Sequence, residues 1–479
     1  MKKIGILLLI MCLFLQYSPL LAYASDVDST TETTLIAVEE DTQSNSAVTS
    51  GSFSLDASIP MLGTDKLVDN VRSAVVYEVN SQTLMYAWNP DVQMYPASLV
   101  KIMTALIAVE RGNMEEVVTV SQGALSAVAS DAVSAKLIAD EKITLEDLLY
   151  CLLLGSANDA AAVIAEYISG SQGAFVDVMN QYAQEIGCSA THFTNPHGLH
   201  DDNQHTTARD SAKILEHALK NPLFKAFFTA TEHTVAATNL SPERRLATGN
   251  SMMDTSSQLY YDSRVIGGRT GVTQDGRRCL AAAAEANGML VISIVMGAES
   301  VYQEDGYSAI SIGGYKETTS LYNACLDGYK AAQVLRSEQI LRQMQINDAQ
   351  NDLLLAPQKS VYTVLPLDIT ADQLTMRYFD KPISLPITKG QHVSDVQIWH
   401  GATCVAQVEL YAMNSLYATE TDTDENTGTR KAYNPVWIIL IVVIVTAGIF
   451  VYLRFSTRIK SYIDRKRRNR YRKSHKRIR

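Results

Sequence analysis

Cysteine is scarce in this sequence, which excludes a disulfide-stapled or zinc-knuckle architecture. Six cysteines occur in 479 residues, and Cys12 lies in an N-terminal segment that we expect to be removed. The remaining five are an odd number at wide spacings, without the closely paired cysteines that bind zinc or form a disulfide framework. We therefore interpret them as buried thiols.

A metal-ligand pattern is missing as well. Two histidines, His197 and His200, lie in the loop 194–200, but no glutamate or third histidine stands at ligand spacing from them. The loop is dense in turn-forming residues, which favours a surface loop over a metal site. The sequence thus predicts neither a metal nor another cofactor.

Positive charge is scarce in the body of the chain. The sequence has 41 Lys and Arg against 51 Asp and Glu, a net charge of −10. Because residues 454–479 hold 13 basic residues and one acid, and residues 1–24 hold two lysines and no acid, residues 25–453 carry a net charge of −24. A body this acidic excludes a nucleic-acid-binding protein, and the basic tail needs a separate explanation.

Two apolar segments frame the chain. Residues 1–24 combine two lysines, an apolar run and a small-x-small site, the pattern of a secretory signal peptide. Residues 436–453 form an uncharged apolar run just long enough to span a bilayer. The basic residues 454–479 follow directly, which predicts a single-pass protein of the cell membrane with a cytoplasmic C-terminus and an extracellular body.

Polar segments adjoin these apolar runs. Residues 25–64 are rich in Ser, Thr, Asp and Glu and predict a disordered spacer. Residues 419–435 predict an acidic linker to the membrane. The tail 454–479 could bind either nucleic acid or anionic lipid, and its position against the apolar span favours lipid.

The ordered body opens with a hairpin and a helix that carries two unusual polar residues. Strands are predicted on either side of the turn 80–82. Helical spacing of apolar residues follows over 96–110, at Leu99, Ile102, Leu106 and Val109. Ser98 and Lys101 interrupt this apolar run three residues apart and therefore share one face. They could be a nucleophile and its base, or a capping serine near a solvated lysine.

A tight connection between two helices carries a second polar pair. One helix is predicted to begin at the cap Thr144, and the next opens at Asp159. Between them lie Ser156 and Asn158, where side chains can be held rigidly and still reach outward. Helix capping is the alternative role, since Ser and Asn often serve it.

The rest of the chain alternates between predicted helices and strands. Residues 115–170 and 316–346 are predicted to be largely helical. A glycine-flanked Arg-Thr within 265–272 leads into two predicted strands and suggests a sheet edge that lines a cleft, with a plain turn as the alternative. Residues 357–418 hold short β-rich runs separated by Pro, Gly or Asp, which suggests a small β-sandwich.

Three motifs follow one another along the chain: Ser98-x-x-Lys101, Ser156-x-Asn158 and Arg269-Thr270-Gly271. With these motifs in this order, the sequence resembles the penicillin-binding proteins, most closely the low-molecular-mass D-alanyl-D-alanine carboxypeptidases. The resemblance covers roughly residues 65–350, and it includes the stretches 96–104, 193–199 and 206–210. It implies an α/β fold: a β-lactamase/transpeptidase-like domain with an antiparallel sheet flanked by helices and a helical subdomain. The β-sandwich and the transmembrane helix would follow that domain.

The resemblance also implies an acyl-enzyme mechanism. Ser98 would attack the carbonyl of the penultimate D-alanine of a peptidoglycan stem peptide and release the terminal D-alanine. Lys101 would be its base, which requires a neutral amine, and burial and the nearby cation Arg269 would both lower its pKa. Ser156 would pass a proton to the leaving amine, and Asn158 would orient Lys101 and the substrate amide.

Substrate binding is assigned by the same resemblance to the third motif. The backbone N–H groups of Ser98 and Val272 correspond to the family's oxyanion hole. Arg269 and Thr270 would bind the terminal carboxylate, with Gly271 between Thr270 and Val272. β-Lactam antibiotics would act as covalent inhibitors.

One position departs from the family pattern, which usually has lysine where this chain has Arg269. Arginine keeps the positive charge and can bind a carboxylate bidentately, so binding should survive. Arginine stays protonated, however, so a proton-relay role of that lysine would be lost. We therefore expect carboxypeptidase activity to be retained, and the sequence leaves the effect on its rate open.

Two other functions remain as alternatives. A β-lactamase of related fold would carry a Glu-x-x-Leu-Asn loop to activate the deacylating water, and no such motif lies between Asn158 and Arg269. A non-catalytic ectodomain that binds peptidoglycan or senses β-lactams would need a signalling tail, and residues 454–479 lack the length and apolar content of a folded domain.

Overall fold

The computed structural model describes residues 60–63, 65–304 and 309–418, together with Thr446 and Tyr452. Several predicted segments lie outside these residues, entirely or almost so: the signal peptide, the spacer, the acidic linker, the apolar span and the basic tail. Over the part of the chain that the structure does describe, no helix has the length and apolar content needed to cross a membrane.

A five-stranded antiparallel sheet forms the centre of the fold, in the order β2-β1-β9-β8-β7. Its strands are β1 (Ser73–Glu78), β2 (Thr83–Trp88), β7 (Val265–Val272), β8 (Arg278–Ala286) and β9 (Met289–Ala298). The predicted hairpin around the turn 80–82 is confirmed by the β1–β2 pairing. The predicted sheet edge is confirmed too, because β7 is an outer strand.

Both faces of this sheet are buried, because alternate side chains of each strand enter different hydrophobic clusters. Val75 and Ile292 belong to one cluster, which also contains most of the helices. Val76 and Val295 belong to the other, which the C-terminal helix of this region covers with Tyr322. Helices therefore pack on both sides of the sheet.

The helices of the first cluster surround the helix that begins at Val100. A 3₁₀ turn, Ala97–Leu99, leads directly into that helix. The helices of the first cluster are α1 (Val100–Arg111), α2 (Gln122–Ser126), α3 (Leu145–Leu153), α4 (Asn158–Ser169), α5 (Gln172–Glu185), α6 (Ala208–Leu219) and α7 (Pro222–Thr229). The helix α8 (Tyr315–Leu326) packs in the second cluster. As predicted, Thr144 caps α3, since its hydroxyl accepts a hydrogen bond from the Asp147 N–H.

The prediction that residues 115–170 are largely helical is wrong for the first part of that range. A two-stranded ladder of β3 (Val117–Thr119) and β4 (Lys142–Thr144) encloses α2 and an irregular segment, 127–141. Backbone N–H groups of this segment donate to the carboxylates of Asp159 and Glu141 instead of to a helical ladder. Two buried acids, Asp159 in α4 and Glu141 at the end of the segment itself, thus replace local helical bonding.

The prediction of helix over 316–346 is wrong beyond Leu326, where α8 ends. The next residues form β12 (Tyr329–Leu335), which pairs antiparallel with β15 (Val361–Pro366). Long-range strand pairing therefore overrides the local helical pattern there.

A second five-stranded antiparallel sheet follows, in the order β13-β14-β18-β17-β16. It shares one hydrophobic cluster with the β12–β15 ladder. Its strands are β13 (Arg342–Met344), β14 (Leu353–Ala356), β16 (Thr375–Asp380), β17 (His392–His400) and β18 (Thr403–Ala412). The other strands of the described residues form two short ladders: β5 (Glu232–Val235) with β6 (Arg244–Ala247), and β10 (Val301–Tyr302) with β11 (Ala309–Ser311).

A buried ion pair fixes the irregular segment 127–141 to the β5–β6 hairpin. Glu141 is fully buried, and Nη2 of Arg244 donates to both of its carboxylate oxygens, at 2.6 and 2.8 Å. The Thr238 hydroxyl adds a hydrogen bond of 2.9 Å to the same carboxylate. Removal of one partner from such a pair leaves a buried charge uncompensated.

We therefore predict that Glu141→Ala lowers the free energy of unfolding by about 3–5 kcal/mol, because Arg244 loses its counter-ion. Urea unfolding of the purified protein measures this change. Glu243→Ala is the matched control: Glu243 is exposed and lies 3.7 Å from the exposed Arg245, so its loss should change stability by less than about 0.5 kcal/mol. Equal effects of the two substitutions would contradict the structural role of Glu141.

Candidate active site

Ser98 lies in the 3₁₀ turn at the start of α1, on a strained backbone. The residue before it, Ala97, has a φ of +48°, a left-handed conformation that a side chain makes unfavourable by about 1–3 kcal/mol. Gly198 packs directly behind this turn, since a Cβ there would lie only 1.9 Å from the Ala97 carbonyl oxygen. The turn that presents Ser98 is therefore held from behind by the loop 194–200.

Lys101 is fully buried and its amine faces the serine. Nζ lies 3.2 Å from Ser98 Oγ, 2.8 Å from Asn158 Oδ1 and 2.5 Å from the backbone carbonyl oxygen of His197. The predicted proximity of the amine and the hydroxyl is thus confirmed.

These three contacts suit a neutral amine. The His197 carbonyl and Asn158 Oδ1 are pure acceptors, and the two hydrogens of a neutral amine satisfy both. The lone pair is then left for the Ser98 hydroxyl, which is the arrangement that a general base needs. Burial, followed by the positive charge of Arg269, lowers the pKa of Lys101 well below its usual 10.5, against a smaller opposing effect of Asp159.

Arg269 is the second buried cation of the site. Its guanidinium donates to the Leu153 carbonyl oxygen at 2.9 Å, to the Ser98 carbonyl oxygen at 3.4 Å and to the Ser156 hydroxyl. Burial lowers the pKa of Arg269 to about 10, so that it stays charged at neutral pH. In the part of the chain that the structure describes, its hydrogen-bond acceptors are all neutral.

The connection between α3 and α4 brings Ser156 and Asn158 to the same place. Ser156 has a φ of +57°, the second left-handed non-glycine residue of the site. The amide of Asn158 is oriented by Val133, whose carbonyl oxygen accepts a 2.8 Å hydrogen bond from Nδ2. Oδ1 of Asn158 therefore faces Lys101.

The edge strand β7 closes the site opposite this connection. A Cβ at Gly271 would lie 2.9 Å from the Ser98 backbone nitrogen and 3.0 Å from Ala97 Cβ, so the strand passes in contact with the 3₁₀ turn. Thr270 is half-buried on this strand, and the side chain of Val272 is 53% exposed at its end. Val272 is the residue directly after this contact.

Two features of the site were missed or misjudged at the level of sequence. The loop 194–200, predicted as an ordinary surface loop, contributes a buried His197 that is 5% exposed and whose carbonyl binds Lys101. Asp159 was predicted only as a helix start, yet its carboxylate accepts hydrogen bonds from Ser134, Ala135 and Leu137. The many turn-forming residues of 194–200 were the available sequence signal that the backbone of this loop could pass close to another part of the chain.

Comparison with known families gives a consistent result. The family model described as D-alanyl-D-alanine carboxypeptidase matches residues 65–300. Among curated proteins, the D-alanyl-D-alanine carboxypeptidase of Streptomyces sp. (strain K15) is 31% identical over 228 residues, which cover 46% of this chain and 78% of that protein. D-alanyl-D-alanine carboxypeptidase DacA of Haemophilus influenzae is 28% identical over 383 residues, 78% of this chain and 92% of the relative.

A solved structure extends the similarity beyond the matched domain. Penicillin binding protein 5 from Haemophilus influenzae superposes with a TM-score of 0.64 at 26% sequence identity, over 74% of this chain and all of that one.

We predict that Arg269→Gln raises the pKa of Lys101, because the substitution removes the nearest positive charge while the amine stays buried. NMR titration of the lysine Cε resonances, assigned by comparison with Lys101→Met, measures this shift. Arg336→Gln, which removes an exposed positive charge instead, should leave the titration unchanged. A Lys101 pKa that responds equally to both substitutions would contradict the assigned electrostatics.

Proposed function

The chain belongs to the D-alanyl-D-alanine carboxypeptidase family of serine peptidases, and from this membership we propose that Ser98 and Lys101 perform the reaction. The enzyme is a serine D-alanyl-D-alanine carboxypeptidase that acts on peptidoglycan stem peptides. The observation that carries the residue assignment is the buried amine with a lowered pKa, 3.2 Å from a serine hydroxyl.

We propose an acylation step that begins at the contact between Lys101 and Ser98. Ser98 Oγ attacks the carbonyl carbon of the penultimate D-alanine while Lys101 Nζ takes the hydroxyl proton. The backbone N–H groups of Ser98 and Val272 bind the oxyanion, a kind of contact worth about 3 kcal/mol of barrier. As the peptide bond breaks, the proton passes from Lys101 through the Ser156 hydroxyl to the amine of the departing D-alanine. Ser156 accepts from Arg269, so its own hydrogen is available for that transfer.

Deacylation reverses the roles. A water molecule attacks the ester carbonyl, Lys101 accepts its proton, and Ser98 regains a hydrogen as the shortened peptide leaves. The same neutral amine serves both steps.

Arg269 and Thr270 bind the terminal carboxylate of the substrate in this proposal. A buried cation is unfavourable unless it is paired with a negative charge, and the described hydrogen-bond acceptors of Arg269 are neutral. A substrate carboxylate would supply the missing charge, and guanidinium can bind it bidentately.

The two alternative functions are not favoured. A β-lactamase needs a carboxylate that activates the deacylating water. Asp159 is the acid whose charge acts on Lys101, but its two oxygens already accept hydrogen bonds from Ser134, Ala135, Leu137 and Ala160. A purely binding ectodomain would have no need to maintain a buried neutral lysine against a serine hydroxyl.

We also propose that the apolar run 436–453 anchors the enzyme in the cell membrane, with residues 454–479 in the cytoplasm. The length of the run and the basic residues that follow it support this. The predicted β-sandwich over 357–418 belongs to the same proposal: it would hold the active site at a height suited to newly made wall peptide.

β-Lactam antibiotics are the expected covalent inhibitors.

We predict that Ser98→Ala abolishes covalent labelling by a fluorescent penicillin and lowers D-alanine release from a pentapeptide by at least about 1000-fold, because the nucleophile is gone. Gel fluorescence and mass spectrometry measure the two outcomes. Ser126→Ala, in the exposed helix α2, is the control and should label like the unaltered protein. Label retained on folded Ser98→Ala would show that another residue is the nucleophile.

We predict that Gly271→Ala slows acylation by about 100-fold, since the added Cβ would push β7 away from Ser98 and separate the two oxyanion donors. The measurement is the rate of penicillin labelling, with thermal unfolding to confirm the fold. Gly328→Ala adds a Cβ in open space and serves as the control. An unchanged rate for Gly271→Ala would place the oxyanion donors elsewhere.

A further inference from the structure

A cavity of about 260 Å³ lies past the end of β7, next to the proposed catalytic groups. Thr273 follows Val272 directly, and Tyr95 precedes Ser98 by three residues; both line the cavity. The remaining lining residues that matter here are charged: Arg72, Asp202, Asp275 and Arg277.

The direction of the substrate along β7 leads to this cavity. In the proposed function, the substrate carboxylate lies at Arg269 and the reacting carbonyl lies at the N–H groups of Ser98 and Val272. A peptide bound this way continues in the same direction towards its N-terminus. Because consecutive Cα atoms are about 3.8 Å apart, the residue before the two D-alanines falls beyond Val272, at Thr273 and the cavity.

The charged side chains of the cavity differ in how many ion pairs and hydrogen bonds they already make. Arg277 donates to Glu299 at 2.5 Å and lies 3.3 Å from Asp275. Asp275 also accepts a 2.5 Å hydrogen bond from the Thr273 hydroxyl. These groups therefore already satisfy one another.

Arg72 and Asp202 are more exposed and make weaker ion pairs. The side chain of Arg72 is 51% exposed, and its one ion-pair partner within the described ranges is Asp275, at a distance of 4.0 Å. The aliphatic part of Arg72 is fixed over Gly297, where a Cβ would lie 3.0 Å from its Cβ and Cδ atoms. The side chain of Asp202 is 90% exposed and lies 3.2 Å from His200.

We propose that this cavity binds the side chain of the residue before the two D-alanines and that Arg72 selects a side chain that carries a free carboxylate. Asp202 offers a negative group for an amine on the same side chain. The chemistry fits a diamino acid that keeps both an amine and a carboxylate at its far end. This inference rests on the proposed function, because it takes the direction of the peptide from it.

Two matched substrates test the assignment. In one, Nα-acetyl-L-lysyl-D-alanyl-D-alanine, the side chain ends in an amine; in the other, diaminopimelic acid replaces lysine and adds only a carboxylate on the amine-bearing carbon. The full chain should favour the diaminopimelyl peptide in kcat/KM by about fivefold, the size expected for a half-exposed ion pair. Arg72→Gln should bring this ratio close to one, and Arg72→Lys should retain part of it.

Arg336→Gln is the matched control, since it removes an exposed arginine outside the cavity, and it should keep the ratio of the unaltered enzyme. Equal kcat/KM values for the two peptides in the unaltered enzyme, or a preference that persists in Arg72→Gln, would overturn this inference alone. Release of D-alanine from neither peptide would overturn the proposed function and this inference with it.

Discussion

Two basic side chains, Lys101 and Arg269, are buried close to each other in this protein, and they cannot both remain charged without a severe electrostatic cost. Arginine does not lose its proton at neutral pH, whereas lysine can. Arg269 therefore retains its charge, and the pKa of Lys101 falls because of burial and that charge. The chemistry of the serine depends on this division, since only an uncharged amine can take the proton of Ser98.

The surrounding structure keeps the two groups in these roles. The carbonyl of His197 and the oriented amide of Asn158 use the hydrogens of the amine and direct its lone pair to the serine. Left-handed residues at Ala97 and Ser156 place their neighbours where regular helices would not. This backbone strain persists because the helices packed on both sides of the central sheet hold these residues in place and do not allow a relaxed conformation.

Much of this arrangement was predictable from the sequence, and the reasons are local. The spacing of Ser98 and Lys101, three residues apart in a segment with a clear helical apolar period, predicted that they share a face. The glycine-flanked Arg-Thr within 265–272 suggested the sheet edge that β7 forms. The irregular segment 127–141 and the strand at 329–335 were not predictable. Their conformations depend on partners far away in the chain: Asp159 and Arg244, the partner of Glu141, in one case, and β15 in the other. The role of His197 was not predictable either, because its backbone carbonyl and not its side chain contacts Lys101.

The arginine at position 269 removes one possible path for the proton, the path through residue 269 itself. A lysine there could exchange a proton with Ser156, but a guanidinium that donates to the Ser156 hydroxyl only orients it. In the proposed mechanism, the proton that Lys101 takes from Ser98 reaches the leaving amine through Ser156, and residue 269 transfers no proton. In that mechanism Arg269 lowers the pKa of Lys101 and binds the substrate carboxylate, while Lys101 and the two serines carry out all proton transfer. This division of roles is simpler than a pair of lysines would give.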